Sequence, residues 1–424
     1  MSTATPEPAL RRSLGTGDAV LIGLGSMIGA GIFAAFAPAA AAAGTGLLLG
    51  LCITGIVAFC NAACSAQLAA RYPSSGGTYL YGRKRLGPWP GFLAGWGFLI
   101  GKTASCAAMA LVFSAYVAPP GWDKPVALAA VVVLAGVNCF GVTRTAAMNR
   151  VIVVFVLLVL GLVLAAGLVA VNSGRGAVPQ LESPGPGVHG ILQSAGLLFF
   201  AFAGYARIAT LGEEVRNPRR TIPRAIMIAL GVTLLLYALV AVVLLTVLGP
   251  AVLASSTEPL VRLVVAGGWG WAGPIVRIGA AAAVLGALLA LFAGIGRTAL
   301  AMGRHDDLPR FLARVDPKYR VPRNAEILVA VVVCFLVSAV DLRGAIGFSS
   351  FGVLVYCVIA NVSALTQPVG ERIYPRIVAV LGAIGCLTLV ATLPRPSIAA
   401  GIVVLVVGVV YRLIQLCALA GKPS

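Results

Sequence analysis

Histidine and charge are both scarce in this 424-residue chain, with His189 and His305 as the two histidines and only 10% of residues charged. Acidic side chains are the scarcest class, 13 against 31 Lys and Arg. No Cys-x-x-Cys pair occurs among the nine cysteines, so neither a metal centre nor a disulfide framework is expected; all nine lie in apolar stretches and read as packing residues. No nucleophile is accompanied by a histidine and a carboxylate in a catalytic constellation, so an enzyme is not expected and no cofactor is implied.

What the chain has instead is apolar length. Sixty per cent of its residues are hydrophobic and its mean hydropathy is +1.00, far outside the range of a soluble domain. It reads as an integral membrane protein. The net charge of +18 would fit nucleic acid in a soluble chain, but in a membrane chain basic residues first report orientation, and nucleic acid is not an expected partner.

A helix needs about 20 mostly apolar residues to cross the bilayer, and twelve such runs stand out: 17–41, 46–70, 90–118, 125–142, 148–171, 188–212, 222–248, 272–302, 325–341, 345–366, 374–392 and 396–417. With the N-terminus inside, the outer segments hold only Lys124, Arg175, Arg262, Arg277, Arg343 and Arg395, while most other basic residues fall on the cytoplasmic side. Both ends, a tail of 1–16 and one of 418–424, are then cytoplasmic. Residues 1–16 are polar and basic and lead straight into a full-length span, so no removable signal peptide is expected.

Two spans carry an oddity. In "GLGSMIGAGIF" (23–33), Gly23, Gly25, Gly29 and Gly31 fall within nine positions of an apolar run, although each glycine weakens a helix by about 1 kcal/mol relative to alanine. In "LLFFAFAGYARIATLGEEV" (197–215), Ala201, Ala203, Gly204 and Ala206 form a second small-residue gap. The second lies five spans after the first, which predicts inverted repeats with interrupted helices at matching positions, a pointer to a transporter's binding site. Unpaired backbone there would offer N–H groups to an anion and carbonyls to a cation, and an amino acid carries one of each. The competing reading is that the glycines let helices pack closely.

Four ordered motifs resemble the amino acid–polyamine–organocation (APC) superfamily. "GLGSMIGAGIF" looks like its first-helix signature, and "RYPSSGGTYLYGRKRLGPWPGFLAGW" (71–96) resembles its segment joining helices 2 and 3. "FFAFAGYARIATLGEEVRNPRRTIPRAI" (199–226) resembles its sixth helix with the following loop, and "AMGRHDDLPRFLARVDPKYRVPRNA" (301–325) its loop after helix 8. The resemblance covers about 15–366 and implies an all-α membrane protein of twelve transmembrane helices with the leucine-transporter fold. That fold is a 5+5 inverted repeat (17–172 and 188–366) with broken helices 1 and 6, plus two C-terminal helices (374–417). Carried over by position, it implies that backbone N–H groups of Gly29, Ala30 and Gly31 meet a substrate carboxylate, with Ser26 adding a hydroxyl. Carbonyls near Ile28 and near Phe200, Ala201 and Ala203, beside Gly204, would meet the ammonium, and Phe200 falls where relatives often place an aromatic gate.

The chain also departs from that pattern. The lysine that several relatives carry in helix 5 is absent from "NRVIVVFVLLVLGLVL" (149–164), and the helix 8 hydroxyls that a sodium ion needs are absent from "LGALLALFAGIG" (285–296). Lys102, in "GFLIGKTASCAAMA" (97–110), sits instead about 12 residues into helix 3, where an ionisable group costs at least about 2.5 kcal/mol. Three readings stand for it: a proton carrier, a partner for an acidic substrate, or a prop for exposed carbonyls of helix 1 or 6. All three disfavour cationic substrates. Arg207 reads either as an inner gate or as a snorkelling arginine. Arg297 stands where relatives commonly have arginine. Glu213 and Glu214 are expected to form a salt-bridge latch with Arg216, Arg219 and Arg220, and His305 reads as a solvated loop histidine or a pH sensor.

The expectation is therefore a secondary active transporter that moves an amino acid by alternating access. Small side chains at both gaps favour a neutral substrate, and Lys102 would couple transport to protons. Exchange or export without ion coupling shares the same motifs, and an amino acid sensor would need an output domain that the short tails do not provide. The expected partners are the amino acid, protons and the lipid bilayer. The Ala-, Gly-, Val- and Arg-rich composition points to a prokaryote and hence to the cytoplasmic membrane.

Overall fold

The computed structural model describes residues 14–73, 76–141, 146–176, 187–212 and 214–420. Within these residues the chain is helical throughout, its one β-type contact being a parallel bridge between Leu14 and Val215. The first helices are α1 (Thr16–Ala34), α2 (Phe36–Ala43), α3 (Leu47–Arg71) and α4 (Gly77–Leu86). Then come α5 (Pro88–Val117), α6 (Asp123–Cys139), α7 (Ala146–Asn172), α8 (Val188–Phe202) and α9 (Ala206–Ala209). The chain continues with α10 (Pro218–Ala254), α11 (Pro259–Ala266), α12 (Gly273–Arg304), α13 (Arg323–Ala339), α14 (Leu342–Leu365), α15 (Arg376–Thr392) and α16 (Arg395–Ala420).

Punctuation in the sequence explains several boundaries. Gly87 turns the chain at φ 105°, a conformation open to glycine, and Pro88 then starts α5 with the ring that needs no N–H partner. Gly249 (φ 74°) before Pro250 likewise kinks α10 near its end.

Every one of the twelve expected spans falls on helix. Nine helical segments of the described residues are long and apolar enough to cross a membrane. The remaining three expected spans are α6, α13 and α15, each of 17 residues, at the lower end of the length that a bilayer core of about 30 Å requires. The outer surface is correspondingly apolar: α16 alone exposes Ile402, Val403, Val406, Val407, Val410 and Ile414. Such a continuous greasy face is untenable in water and suits lipid tails.

Helix α1 is the centre of the bundle, packed on α7, α8, α10 and α12. Its glycines serve this position. A methyl group on Gly25 would come within 2.8 Å of Val153 on α7, one on Gly31 within 2.6 Å of the Ala201 Cα on α8, and one on Gly29 would overlap Ala287 on α12. The expected interruption across Gly23–Gly31 is accordingly not where the backbone places it. Helix α1 runs through these residues to Ala34, and the interruption before α2 is the single residue Ala35, itself near helical geometry (φ −79°, ψ −24°). Neighbours on all sides hold the glycine-rich turn helical, and close packing is what the glycines achieve.

Helix 6 keeps its expected interruption in a mild form. After α8 the chain tightens into a 3-10 turn at Ala203–Tyr205, resumes for four residues as α9 and stops at Ala209. It then bends back so that Leu14 N–H donates to the Glu214 carbonyl and Arg216 N–H donates to the Leu14 carbonyl, each at 3.1 Å. The start of α1 is thereby tied to the segment that follows helix 6.

Candidate functional site: a cavity at the crossing of helices 1 and 6

Four helical segments enclose the cavity. Helix α1 contributes Ser26, Met27 and Gly31, α5 contributes Lys102, helix 6 contributes Phe200, Ala203, Gly204 and Arg207, and α12 contributes Ala287 and Arg297. The cavity volume is about 70 Å³. It exists because α1 and helix 6 cross almost backbone to backbone: a methyl group on Gly204 would overlap the Ser26 carbonyl and come within 2.6 Å of the Met27 nitrogen.

At this crossing, side chains of neighbouring helices bind main-chain carbonyls. The buried Tyr237 hydroxyl on α10 lies 2.6 Å from the Met27 carbonyl and 3.2 Å from the Ala201 carbonyl, so one donor joins α1 to helix 6. Lys102 Nζ donates to the Ala203 carbonyl at 3.1 Å, on the first residue of the 3-10 turn. Tyr116 donates to the Phe33 carbonyl at 3.3 Å, and the Asn149 amide to the Leu21 carbonyl at 3.2 Å. Helix carbonyls have a second lone pair, so these bonds add to the ladder, each contributing about 1 kcal/mol and more where the donor is charged.

The candidate residues separate cleanly. Ser26, Gly31, Phe200, Ala203, Gly204, Lys102 and Arg207 share the cavity. Ile28 and Gly29 face a smaller void against Ile152, Val153 and Ala283 instead. Ala201 contributes its carbonyl to Tyr237 and its side chain to the contact with Gly31. Ala30 is helical, and its side chain lies outside the described residues. The Ser26 hydroxyl donates back to the Ile22 carbonyl at 2.9 Å, and Phe200 is 6% exposed at the cavity wall.

Of the three readings of Lys102, the bond to the Ala203 carbonyl matches the prop for helix 6. Arg207 is half-buried in the cavity wall; its guanidinium donates to the Thr210 hydroxyl at 3.5 Å, and that hydroxyl donates to the Arg207 carbonyl at 2.8 Å. The expected latch has a different partner. Because the chain leaves helical geometry after Ala209, Glu214 turns to α12 and meets Arg297 at 3.7 Å; Glu213 lies outside the described residues. His305 is exposed, with its Nδ1 2.8 Å from the Ala301 carbonyl. Sequence reasoning missed Tyr237. Its signal was a phenol inside an apolar helix, which needs a hydrogen-bond partner when buried.

Comparison with known proteins agrees with this architecture. The family model for amino acid permeases matches residues 14–415. The chain is 58% identical over 402 residues to an uncharacterized transporter of Mycobacterium tuberculosis, covering 94% of this chain and 90% of that protein. It is 26% identical over 443 residues to the branched-chain amino acid permease BcaP of Bacillus subtilis, covering 97% and 94%. It is 29% identical over 378 residues to human cationic amino acid transporter 4, covering 84% of this chain and 59% of that one. A central cavity at crossed, glycine-lined helices and a family match over nearly the whole length lead to one assignment: the chain is a multi-pass membrane transporter of the amino acid permease family, within the APC superfamily.

Proposed function

We propose that this transporter moves a net uncharged amino acid across the cell membrane by alternating access. The chain crosses twelve times with both termini cytoplasmic. Residues 17–172 and 188–366 form the two inverted halves, 374–417 supply two further helices, and 1–16 and 418–424 are the tails. The observation that carries this reading is the joint hold of Tyr237 and Lys102 on the carbonyls of Met27, Ala201 and Ala203 at the cavity wall. A substrate ammonium competes for those same carbonyls, and its carboxylate finds N–H groups of Gly29, Ala30 and Gly31 once α1 opens at its glycines. Occupancy then changes which groups hold the crossing together, which is the differential interaction that shifting a two-state equilibrium requires.

Lys102 is the coupling group in this scheme. It is 6% exposed, and its ammonium must leave Ala203 when helix 6 moves, which exposes a proton to exchange. A cationic substrate would meet Lys102, Arg207 and Arg297 at close range and be repelled.

The test is uptake of labelled neutral amino acids into proteoliposomes, with and without an inward proton gradient, for wild type and Lys102→Met. Gradient-driven accumulation is expected in wild type. In the variant, accumulation is expected to fall at least tenfold while counterflow exchange persists. Equal uptake with and without the gradient in wild type would remove the coupling role and leave an exchanger or exporter.

A further inference from the structure

Glu326 is a buried carboxyl group that no counter-charge meets. It lies near the start of α13, is 2% exposed, and has no hydrogen-bond partner for its Oε2 among the described residues. The side chain packs over Gly296 of α12, where a methyl group would stand 3.3 Å from its Cγ and 3.5 Å from its Oε1. The next residue, Arg297, is the charge that acts on it. Arg297 is nevertheless turned to Glu214, at 3.7 Å.

The other groups around it offer no better partner. Helix α13 packs on α5, α6, α12 and the turn Arg310–Ala313. Cys139 faces it from α6, and Arg323 of its own helix lies 3.9 Å from Asp316. Arg310 of the turn binds Asp306, and Lys102, the one charge on α5, donates to the Ala203 carbonyl. On α12, Arg304 lies further along the helix, beyond Arg297.

An isolated carboxylate held away from water is costly, and such a group takes a proton instead. We infer that Glu326 binds a proton whose release to water moves Arg297 from Glu214 to Glu326 and so unlatches one end of the central cavity. The Arg297 contact with Glu214 joins α12 to the segment after helix 6, and the Glu214 carbonyl accepts from Leu14 at the start of α1. Once Glu326 is ionised, two carboxylates compete for one guanidinium. The buried one has more to gain from it, whereas Glu214, 30% exposed, is left to water at small cost. The inference rests on the transporter reading above, in which this end is cytoplasmic. The proton therefore comes from the cytoplasm and returns to it, setting the rate of opening and not the gradient that drives transport.

The sign follows from linkage: the latched state binds the proton and the open state has lost it, so opening is favoured as pH rises, by up to about tenfold per pH unit. The test is counterflow exchange of labelled neutral amino acids in proteoliposomes with equal pH on both sides, between about pH 5.5 and about pH 9, where buried carboxyls titrate. The wild-type rate is expected to rise at least threefold. Glu326→Gln, which keeps the shape of the neutral acid, is expected to stay at the low-pH rate throughout, and Glu214→Gln to run at the high-pH rate throughout. Lys102→Met is expected to keep the wild-type rise. Difference infrared spectra between the two pH values are expected to show a protonated carboxyl band that Glu326→Gln lacks.

A flat wild-type profile, a rise that survives in Glu326→Gln or in Glu214→Gln, or a rise that vanishes in Lys102→Met overturns the inference and leaves the amino acid reading standing. An unchanged infrared band in Glu326→Gln overturns it as well. Absence of exchange with any amino acid in wild type overturns the transport reading, and the infrared band then decides the proton on Glu326 by itself.

Discussion

Gly204→Ala is expected to abolish transport, with uptake falling more than tenfold, while Gly161→Ala, the same chemical change elsewhere in the bundle, leaves uptake unchanged. The difference lies in what the new methyl group meets. At Gly204 it overlaps the Ser26 carbonyl and reaches within 2.6 Å of the Met27 nitrogen, whereas at Gly161 on α7 nothing stands within 4 Å. Clashes with a flexible side chain are relieved by a rotamer change; a clash with backbone is relieved only by moving a helix. Overpacking of this kind costs about 1–3 kcal/mol, and the backbone contact puts Gly204→Ala at or beyond the upper end.

The movement has nowhere harmless to go. Pushing helix 6 away from α1 lengthens the two bonds from Tyr237, which now span 2.6 and 3.2 Å, and carries Ala203 off Lys102. The same displacement widens the cavity in which Lys102, Phe200 and Arg207 meet. Thermal unfolding in detergent measures the stability cost, and proteoliposome uptake measures the functional one. Gly161→Ala supplies the internal control, because alanine favours an unobstructed helix by about 1 kcal/mol. Wild-type uptake by Gly204→Ala would show that transport does not require the two backbones to meet.

Apolar run length made the helices legible, since a stretch such as 374–392 has no other fate in a bilayer, and α15 occupies it. Lys102 was legible for the opposite reason: one charge in the middle of an apolar run must be held by something, and the Ala203 carbonyl holds it. The state of helix 1 was not legible. Glycine lowers helix propensity locally by about 1 kcal/mol, and that local effect suggested an interruption across Gly23–Gly31. Packing is not local: Ala201, Ala287 and Val153 close in on three of the glycines and keep the turn helical. Partner choice escaped the sequence for the same reason. Glu214 lies two residues from Arg216, yet it pairs with Arg297 far along the chain, because the helix ends at Ala209 and the backbone reverses.

Asp307 presents the other large effect, and its sequence neighbourhood, "RHDDLP", concealed it. Asp306 pairs with Arg310 at 2.7 Å, four residues on, across an exposed ion pair. Asp307 turns inward and is 1% exposed. Its carboxylate accepts from the Tyr79 hydroxyl at 2.7 Å on α4, from Arg83 at 2.9 Å on the same helix, and from Arg412 on α16. Arg412 is itself buried, with its guanidinium 4.8 Å from the Phe92 ring centroid on α5 and 5.6 Å from that of Trp89. One carboxylate thus ties the peripheral α16 to the α4–α5 corner, from which α5 runs on to Lys102.

Asp307→Asn is expected to lower stability by about 3–5 kcal/mol, because it leaves a buried guanidinium without its counter-charge. A fall of roughly 5–10 °C in the unfolding midpoint follows. Arg310→Ala, which breaks only the exposed pair, is expected to cost less than about 1 kcal/mol.

Two further measurements separate a lost charge pair from a merely altered shape. The Asp307→Asn deficit should persist at high salt, since buried pairs are weakly screened. Adding Arg412→Met should recover part of it, since an apolar side chain of similar length has no charge to strand. If Asp307→Asn unfolds early and the double variant unfolds still earlier, the stacking of Arg412 on Phe92 and Trp89 supports α16 in addition to the carboxylate, and the stranded charge is not the main cost. Recovery in the double variant would instead assign the stability of this corner to the charge pair. In that case Asp307→Asn should also depress uptake before it unfolds the chain, because α5 carries both the stacked rings of this corner and the lysine that holds helix 6.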